Sequence, residues 1–163
     1  KTYCYDLQLH FLDMRKELQM KGTTGKESFV MDRSLPEDLL VFCYQFHKDG
    51  FLDRDELDLL TVKFKSVCNK IPSSDLLIVL KGRTDLAWSR IQQRGREMEM
   101  EGGWSRSDID ALNGWYRTYT NDVCRFGYHK GRVIEINVEK IDFTNRIHVG
   151  YIFEIIYNAL TED

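Results

Sequence analysis

Apolar positions recur at helical spacing along much of the chain. In the first such stretch Leu7, Phe11, Met14 and Leu18 form one stripe at steps of four and three, which is typical of an amphipathic helix. Similar stripes follow at intervals, and each is bounded by turn or stop residues such as Asp49-Gly50. The pattern predicts helices over residues 3–20, 35–46, 56–69, 85–94, 104–121 and 147–160.

Short continuous apolar runs lie between these stretches and predict strands over 29–31, 76–80 and 132–138. The run Leu76-Leu-Ile-Val-Leu80 is typical of a strand buried on both faces of a parallel sheet. Strands that alternate with helices predict an α/β domain with a parallel sheet flanked by helices. The closing helix is expected to turn its apolar side inward, namely Tyr151, Ile152, Ile155, Ile156 and Ala159.

Capping signals place several helix starts. Ser34 stands three residues before Glu37, with Pro36 in the first turn, which predicts a capping box. Asp53 and Glu56 predict a second box. The later helices are expected to be capped by Thr84 and by Ser105 or Ser107.

Composition indicates an ordinary globular protein of one domain. The 163 residues are 42% apolar and 30% charged, with a net charge of -3, so no surface for a nucleic-acid polymer is implied. No run approaches the 18 apolar residues of a membrane span. The four cysteines are scattered without a Cys-x-x-Cys pair, which favours reduced thiols in a cytoplasmic compartment.

Asp32 and Arg33 follow the first predicted strand directly and precede a helix. Ligands of open α/β sheets bind outside the carboxyl ends of the strands. A carboxylate there suits Mg²⁺ or its waters, and a guanidinium suits phosphate oxygens, so the pair fits a metal-bound polyphosphate. The alternative is an acid that stabilises the helix N-terminus beside a surface arginine.

Two helical faces carry polar side chains that suit a small planar ligand. Gln8 and Arg15 are seven residues apart and share a face. Asp38 and Phe42 share a face one turn apart on the helix from Leu35. Glutamine both donates and accepts hydrogen bonds, as a nucleobase edge requires. The alternative for Gln8 is a solvated polar residue.

Three arginines gather within seven residues of an acidic chain, at Arg90, Arg94 and Arg96. Such a cluster favours an anion that shares the space. The alternative is a solvated helix whose arginines pair with Glu97 and Glu99. Gly102-Gly103 suggests a mobile segment beside them.

Two other motif comparisons fail. The loop over 21–27 has two residues between its glycines and Glu27 after Lys26, whereas a Walker phosphate loop needs four residues and Ser or Thr. Residues 47–59 lack the Asp-x-Asp-x-Asp-Gly order of an EF-hand and are better explained as a turn into a helix.

The Asp32-Arg33-Ser34 strand end, the Leu-rich strand and Arg90-x-x-x-Arg94-Gly95-Arg96-x-x-Glu99 occur in this order. With Gln8 and Arg15, they make the chain resemble the deoxynucleoside kinases. The ordered set carries the resemblance, which covers nearly the whole chain, and it implies a P-loop kinase-like fold with a lid over about 90–104. It also implies ATP-dependent phosphorylation of a deoxynucleoside 5′-hydroxyl, with Mg²⁺, by a homodimer.

The resemblance implies a nucleoside-binding role for five residues. Gln8 matches the glutamine that hydrogen-bonds the base, and Phe42 matches the aromatic that stacks on it. Arg15 and Asp38 match the pair that reads the base edge in members that prefer purines or cytosine. Glu99 matches the acid that binds the sugar 3′-hydroxyl.

The resemblance also implies phosphate and donor contacts. Asp32 matches an acid near Mg²⁺, and Arg33 matches the arginine near the 5′-hydroxyl and the phosphates. The lid arginines that clamp the transferred phosphoryl group correspond to Arg90, Arg94 and Arg96. The loop beside the ATP adenine corresponds to Asp142 and Phe143, with one extra residue in this chain.

The family's opening strand, its Gly-x-x-Gly-x-Gly-Lys-Ser-type loop and its general-base glutamate have no counterpart in these residues. Because that strand is the middle of the family's sheet, we expect an upstream segment or a second piece to complete it. Two alternative functions stay open. One is a non-catalytic nucleotide-binding or structural subunit, and the other is a thymidylate kinase, where Tyr or Phe usually replaces Ser34.

Overall fold

A computed structural model of the chain describes residues 3–101 and 103–161. They group into two compact units, Lys1–Ser74 with Trp115–Lys130 and Asp75–Gly114 with Gly131–Asp163. The elements in chain order are α1 (Cys4–Thr24), α2 (Leu35–Glu37), a π-helix (Asp38–Cys43), α3 (Tyr44–Lys48), α4 (Arg54–Lys70), β1 (Leu76–Lys81), α5 (Thr84–Arg94), α6 (Glu97–Met100), α7 (Arg106–Phe126), β2 (Arg132–Asn137) and α8 (Arg146–Thr161).

The first unit is helical and has an apolar core. Its best-buried side chains come from the π-helix, α4 and the second half of α7, and they include Leu39, Val41, Leu60, Phe64 and Val123, all 0% exposed. The start of α4 is fixed locally, because the predicted capping box is present with both hydrogen bonds between Asp53 and Glu56.

The predicted helix α1 is confirmed and runs on to Thr24. Its buried residues are Gln8 and Leu12, whereas Leu7 and Leu18 of the predicted apolar stripe are 47% exposed. The face that packs in this unit is therefore the one that carries the polar residues.

The helix predicted from Leu35 is also confirmed, but its middle is a π-helix. The predicted capping box at its start is wrong, since Ser34 makes no side-chain capping bond. The side chains of Ser34 and Glu37 form hydrogen bonds with two tyrosines of α7 instead. Ser34 Oγ shares a 2.8 Å hydrogen bond with the Tyr119 hydroxyl, and the Glu37 carboxylate accepts one from the Tyr116 hydroxyl.

The second unit contains a parallel pair of strands. β1 and β2 pair from Leu76↔Arg132 to Lys81↔Asn137, which confirms the α/β class with a parallel sheet. Val79 and Ile136 are buried, but Leu80 is 53% exposed. The prediction that β1 is buried on both faces is therefore wrong, because within the described residues the sheet holds two strands.

The strand predicted over residues 29–31 is not formed. Val30 is fully exposed. A strand needs a hydrogen-bonded neighbour, and in the described part of the chain β1 and β2 pair only with each other.

Of the helix caps predicted in the second unit, Ser105 is confirmed and Thr84 is wrong. Ser105 Oγ accepts a hydrogen bond from the Asp108 backbone N–H at the start of α7, as predicted. Thr84 is not the cap of α5, because it is the first residue of that helix. Its hydroxyl donates to Asp110 and accepts from Asn113, which draws it away from the helix end.

The closing helix α8 is confirmed, but its predicted inner face is only partly covered. Tyr151 is 56% exposed, and no described residue of α8 is fully buried. Across residues 3–101 and 103–161, no helix combines the length and apolarity needed to cross a membrane. The single domain and its lid over 90–104 stay predictions.

Phe64 is the test of the core. Phe64→Ala should lower the free energy of unfolding by about 3–5 kcal/mol, because it removes a fully buried ring and leaves a cavity. Val62→Ala, two residues earlier on α4 and 68% exposed, should change it by less than about 0.5 kcal/mol. Urea unfolding followed by circular dichroism measures both, and equal losses would contradict the packing.

Candidate active site

A buried ion pair joins α1 to the π-helix. The Arg15 guanidinium donates from Nε to Asp38 Oδ2, and their side chains are 12% and 5% exposed. Arg15 also donates from Nη1 to the backbone carbonyl of Asp32, 3.0 Å away. One arginine therefore fixes the carboxylate predicted to read a base and the backbone of the acid predicted to lie near the metal.

The environment of Asp38 opposes its charge. Burial raises the pKa of Asp38 to about 6, although the charge of Arg15 and its hydrogen bond act in the opposite direction. At neutral pH the carboxylate is ionised and accepts hydrogen bonds only. Asp38 is therefore a strong acceptor that is lost when the pH falls below about 6.

The π-helix brings further side chains to the same side as Asp38. In a π-helix hydrogen bonds join residues five apart, so Asp38 lies below Cys43, with Phe42 beside it. The Cys43 thiol donates to Gln8 Oε1, with 3.5 Å between sulfur and oxygen. Gln8 is 2% exposed, so the interpretation as a solvated polar residue is wrong.

Arg33 covers the ring that was predicted to stack on a base. Its guanidinium carbon lies 4.3 Å from the centroid of the Phe42 ring, which is cation–π geometry. Arg33 also has a φ of 67°, in the left-handed region that only glycine adopts without cost. The backbone is therefore held in a costly conformation beside a residue predicted to contact phosphate.

Asp32 is exposed, and its backbone rather than its side chain is fixed by Arg15. In residues 3–101 and 103–161 no group of three or more His, Cys, Asp or Glu could hold a metal. Mg²⁺ in kinase sites usually keeps its waters and uses one or two carboxylates with the substrate phosphates. A single accessible carboxylate is compatible with that mode.

The hydrogen bonds of Tyr116 and Tyr119 were not foreseen. Their hydroxyls bind Glu37 and Ser34, which flank the start of the helix that carries Asp38. Burial raises the pKa of both tyrosines, so the hydroxyls stay protonated. The only sequence signal was two tyrosines three apart on a helix.

In the second unit the predicted lid residues are paired with one another. Arg94 donates to both oxygens of Glu99, from Nε at 3.1 Å and from Nη2 at 2.6 Å. Arg96 lies 3.9 Å from the same carboxylate. The ion pairs with Glu99 that formed the alternative interpretation are therefore present, and the carboxylate lies where an anion would compete for the arginines.

Arg90 is held by a different segment from Arg94 and Arg96. It donates to the backbone carbonyls of Val138, at 3.2 Å, and Ile141, at 2.8 Å. Its guanidinium carbon lies 5.6 Å from the Phe143 ring. The structure thus brings Arg90 to the loop that was predicted to contact ATP.

Asp142 is engaged in local structure before α8. Its carboxylate accepts from the backbone N–H and the hydroxyl of Thr144, and these bonds lower its pKa. Phe143, which follows it, is 46% exposed. This leaves the phenyl ring accessible while the neighbouring acid stabilises the turn.

The family model for deoxynucleoside kinases matches residues 1–154, which is nearly the whole chain. The chain belongs to the deoxynucleoside kinase family. A deoxyadenosine/deoxycytidine kinase of Bacillus subtilis (strain 168) is 28% identical over 147 residues, which are 89% of this chain and 64% of that protein.

Two further relatives are named as kinases of purine deoxynucleosides. A deoxyadenosine kinase of Dictyostelium discoideum is 26% identical over 77% of this chain and 50% of its own length. A deoxyguanosine kinase of Lactobacillus johnsonii (strain CNCM I-12250 / La1 / NCC 533) is 33% identical over 61% of this chain and 46% of its own length. The chain thus spans about half to two thirds of the length of these curated relatives.

A solved structure shares the fold. The structure of deoxyadenosine kinase from M. mycoides with bound dCTP matches 96% of this chain and 74% of its own chain, with a TM-score of 0.71 and 18% sequence identity. The prediction of a P-loop kinase-like fold is therefore confirmed. The site roles of the individual residues stay predictions.

The conformation of Arg33 is tested by two substitutions that both remove its guanidinium. Arg33→Gly should give a free energy of unfolding about 1 kcal/mol higher than Arg33→Ala, because only glycine adopts a φ of 67° without strain. Urea unfolding of the two variants gives the difference directly. An alanine variant as stable as the glycine variant would show that Arg33 is not held in this conformation.

Proposed function

We propose that this protein transfers a phosphoryl group from ATP to the 5′-hydroxyl of a deoxynucleoside with a purine or cytosine base, a nucleotide-salvage reaction. The observation that carries the proposal is that polar side chains join α1 to the π-helix in the interior of the first unit, with Arg15 bound to Asp38 and Gln8 bound to Cys43. Buried polar groups of this kind are costly unless they are paired, and they offer a nucleobase edge both donors and acceptors. Family membership supports the reaction class.

The nucleoside is bound by the first unit. Phe42 stacks on the base, and Arg33 leaves the ring when the base arrives, since both use the same face of the phenyl group. Asp38 accepts from an amino group on the base edge while Arg15 keeps the carboxylate ionised. Gln8 hydrogen-bonds the adjacent ring nitrogen.

The phosphates require positive charge and one carboxylate. Arg33, once released, contacts the 5′-oxygen and the transferred group. Asp32 would hold Mg²⁺ or its waters, and the bound ion would neutralise charge on the donor phosphates. Phosphoryl transfer is mostly positioning and electrostatic stabilisation, which suits this set of side chains.

The lid residues of the second unit exchange partners on binding. Glu99 accepts from the sugar 3′-hydroxyl, and Arg94 and Arg96 then turn from Glu99 to the transferred phosphoryl group. Arg90, anchored by two carbonyls, steadies the loop of Asp142 and Phe143, against which the ATP adenine packs. Charge-assisted bonds to phosphate favour this exchange.

We also propose a homodimer in the cytoplasm. Leu7, Met14 and Leu18 leave an apolar face of α1 at least 40% exposed, as an interface between subunits would. The cysteines Cys4, Cys43, Cys68 and Cys124 are all free, which suits a reducing compartment. The small substrate and the net charge of -3 argue against a polymeric nucleic-acid partner.

The reaction is tested with ATP labelled at the γ-phosphate. The acceptors are deoxyadenosine, deoxyguanosine, deoxycytidine, thymidine and dTMP, each with the wild type and with Asp38→Ala. We expect transfer to deoxynucleosides, with the variant weakened more on the purine and cytosine substrates than on thymidine. Transfer to dTMP alone would indicate a thymidylate kinase. No transfer by the folded protein would favour a non-catalytic subunit.

Arg94 is the test of the lid. Arg94→Ala should lower kcat by about 100- to 1,000-fold with little change in nucleoside binding, because the arginine acts on charge in the transition state. Arg106→Ala is the matched control, since Arg106 is another exposed arginine of the second unit and pairs with Asp85. Steady-state kinetics separate the two outcomes. Unchanged turnover in Arg94→Ala would remove the lid assignment.

Asp38 should give the reaction a pH dependence. Because burial raises the pKa of Asp38 to about 6, protonation removes the base acceptor as the pH falls through that value. The KM for deoxyadenosine should rise about tenfold between pH 7 and pH 5, whereas the KM for thymidine should change little. Asp38→Asn should abolish the dependence. A variant with the wild-type profile would assign it to another group.

A further inference from the structure

Two hydrogen-bonded contacts connect α1 to the π-helix. The first is the ion pair of Arg15 and Asp38. The second is the hydrogen bond from Cys43 to Gln8, between side chains of residues that are 0% and 2% exposed. A polar contact this deep fixes the orientation of both groups, because neither can turn to water instead.

The contact depends on the π-helix. Five residues in an α-helix, at about 100° each, would turn Cys43 about 140° away from Asp38. The wider π turn brings the two residues onto one side. Cys43 therefore lies on the same side of the π-helix as Asp38, where its thiol contacts Gln8 of α1.

The thiol acts as a donor. Burial raises the pKa of Cys43 far above that of a free cysteine, with further effects of Asp38 and Cys4 in the same direction. The sulfur therefore keeps its proton, and the S–H group donates to Gln8 Oε1. An amide oxygen that accepts a hydrogen bond also polarises the N–H groups of the same amide. The NH₂ end of Gln8 is thus the end left for a ligand.

The four common bases differ at the ring nitrogen that such an amide meets. Adenine N1 and cytosine N3 accept a hydrogen bond and stand beside an amino group. Guanine N1–H and thymine N3–H donate one and stand beside a carbonyl. An amide that offers N–H matches the first class, and an ionised Asp38, which only accepts, matches its amino group.

We propose that Cys43 is a specificity-determining positioning residue that turns Gln8 to donate, so that the site favours bases with an amino group beside an acceptor nitrogen over their keto counterparts. This inference rests on the proposed function and narrows it to deoxyadenosine and deoxycytidine. The names of the relatives include both amino and keto bases, so they do not decide the point.

Deoxyadenosine and deoxyinosine are the substrate pair that best tests the orientation of the Gln8 amide. They differ only at position 6 and in the proton on N1, so their ratio isolates the orientation of the amide. The test measures the dissociation constants of both nucleosides by titration calorimetry, and kcat/KM for both with ATP. Binding is included because it does not depend on turnover.

Three variants separate the thiol proton from the packing. Cys43→Ala removes the donor and should lower the preference for deoxyadenosine about three- to tenfold, the usual range for one hydrogen bond. Cys43→Ser keeps a donor and should retain the wild-type preference or exceed it. Cys68→Ala removes another buried thiol, on α4, and should leave the preference unchanged.

The outcomes are distinct. An unchanged preference in Cys43→Ala, or a serine variant that behaves like alanine, overturns the role of Cys43. A wild type that binds neither nucleoside contradicts the proposed function itself. Circular dichroism and thermal unfolding accompany each variant. If the alanine variant fails to fold, the serine variant still decides, because loss of the preference with a donor present would contradict the proposal.

Discussion

The ion pair of Arg15 and Asp38 is the contact on which the candidate site depends. It buries two charges where α1 meets the π-helix, and the same arginine holds the backbone of Asp32. Removal of one partner from a buried pair leaves an uncompensated charge, so the pair ties the two helices in one relative position. Gln8 and Phe42 lie on these same two helices, so the ion pair also fixes the positions of the residues proposed to bind the base.

Several charged side chains contact other groups of the protein where the proposed ligand groups would bind. Arg33 lies over the Phe42 ring, and Arg94 shares Glu99 with Arg96. Glu99 neutralises part of the charge of Arg94 and Arg96, and the Phe42 ring offers Arg33 its negative face. In this account the base and the phosphates replace partners within the protein, so binding costs less desolvation than it would at bare charges.

The sequence predicted what depends on neighbouring residues. The capping box of Asp53 and Glu56 formed because both partners lie in one turn. The box of Ser34 and Glu37 failed because distant tyrosines offered better partners, which no local pattern shows. The shared face of Asp38 and Phe42 was predictable from helical spacing. The contact of Cys43 was not, because the π turn has no sequence signature and changes which residues align.

Arg15 and Asp38 act as one unit, and a double-mutant cycle tests this coupling most directly. The free energies of unfolding of Arg15→Met, Asp38→Leu and the double variant are compared with that of the wild type. Each single change should cost about 3–5 kcal/mol, and the double change should cost less than their sum by at least about 2 kcal/mol. Additive losses within about 0.5 kcal/mol would show that the two residues are not coupled, and would contradict the account.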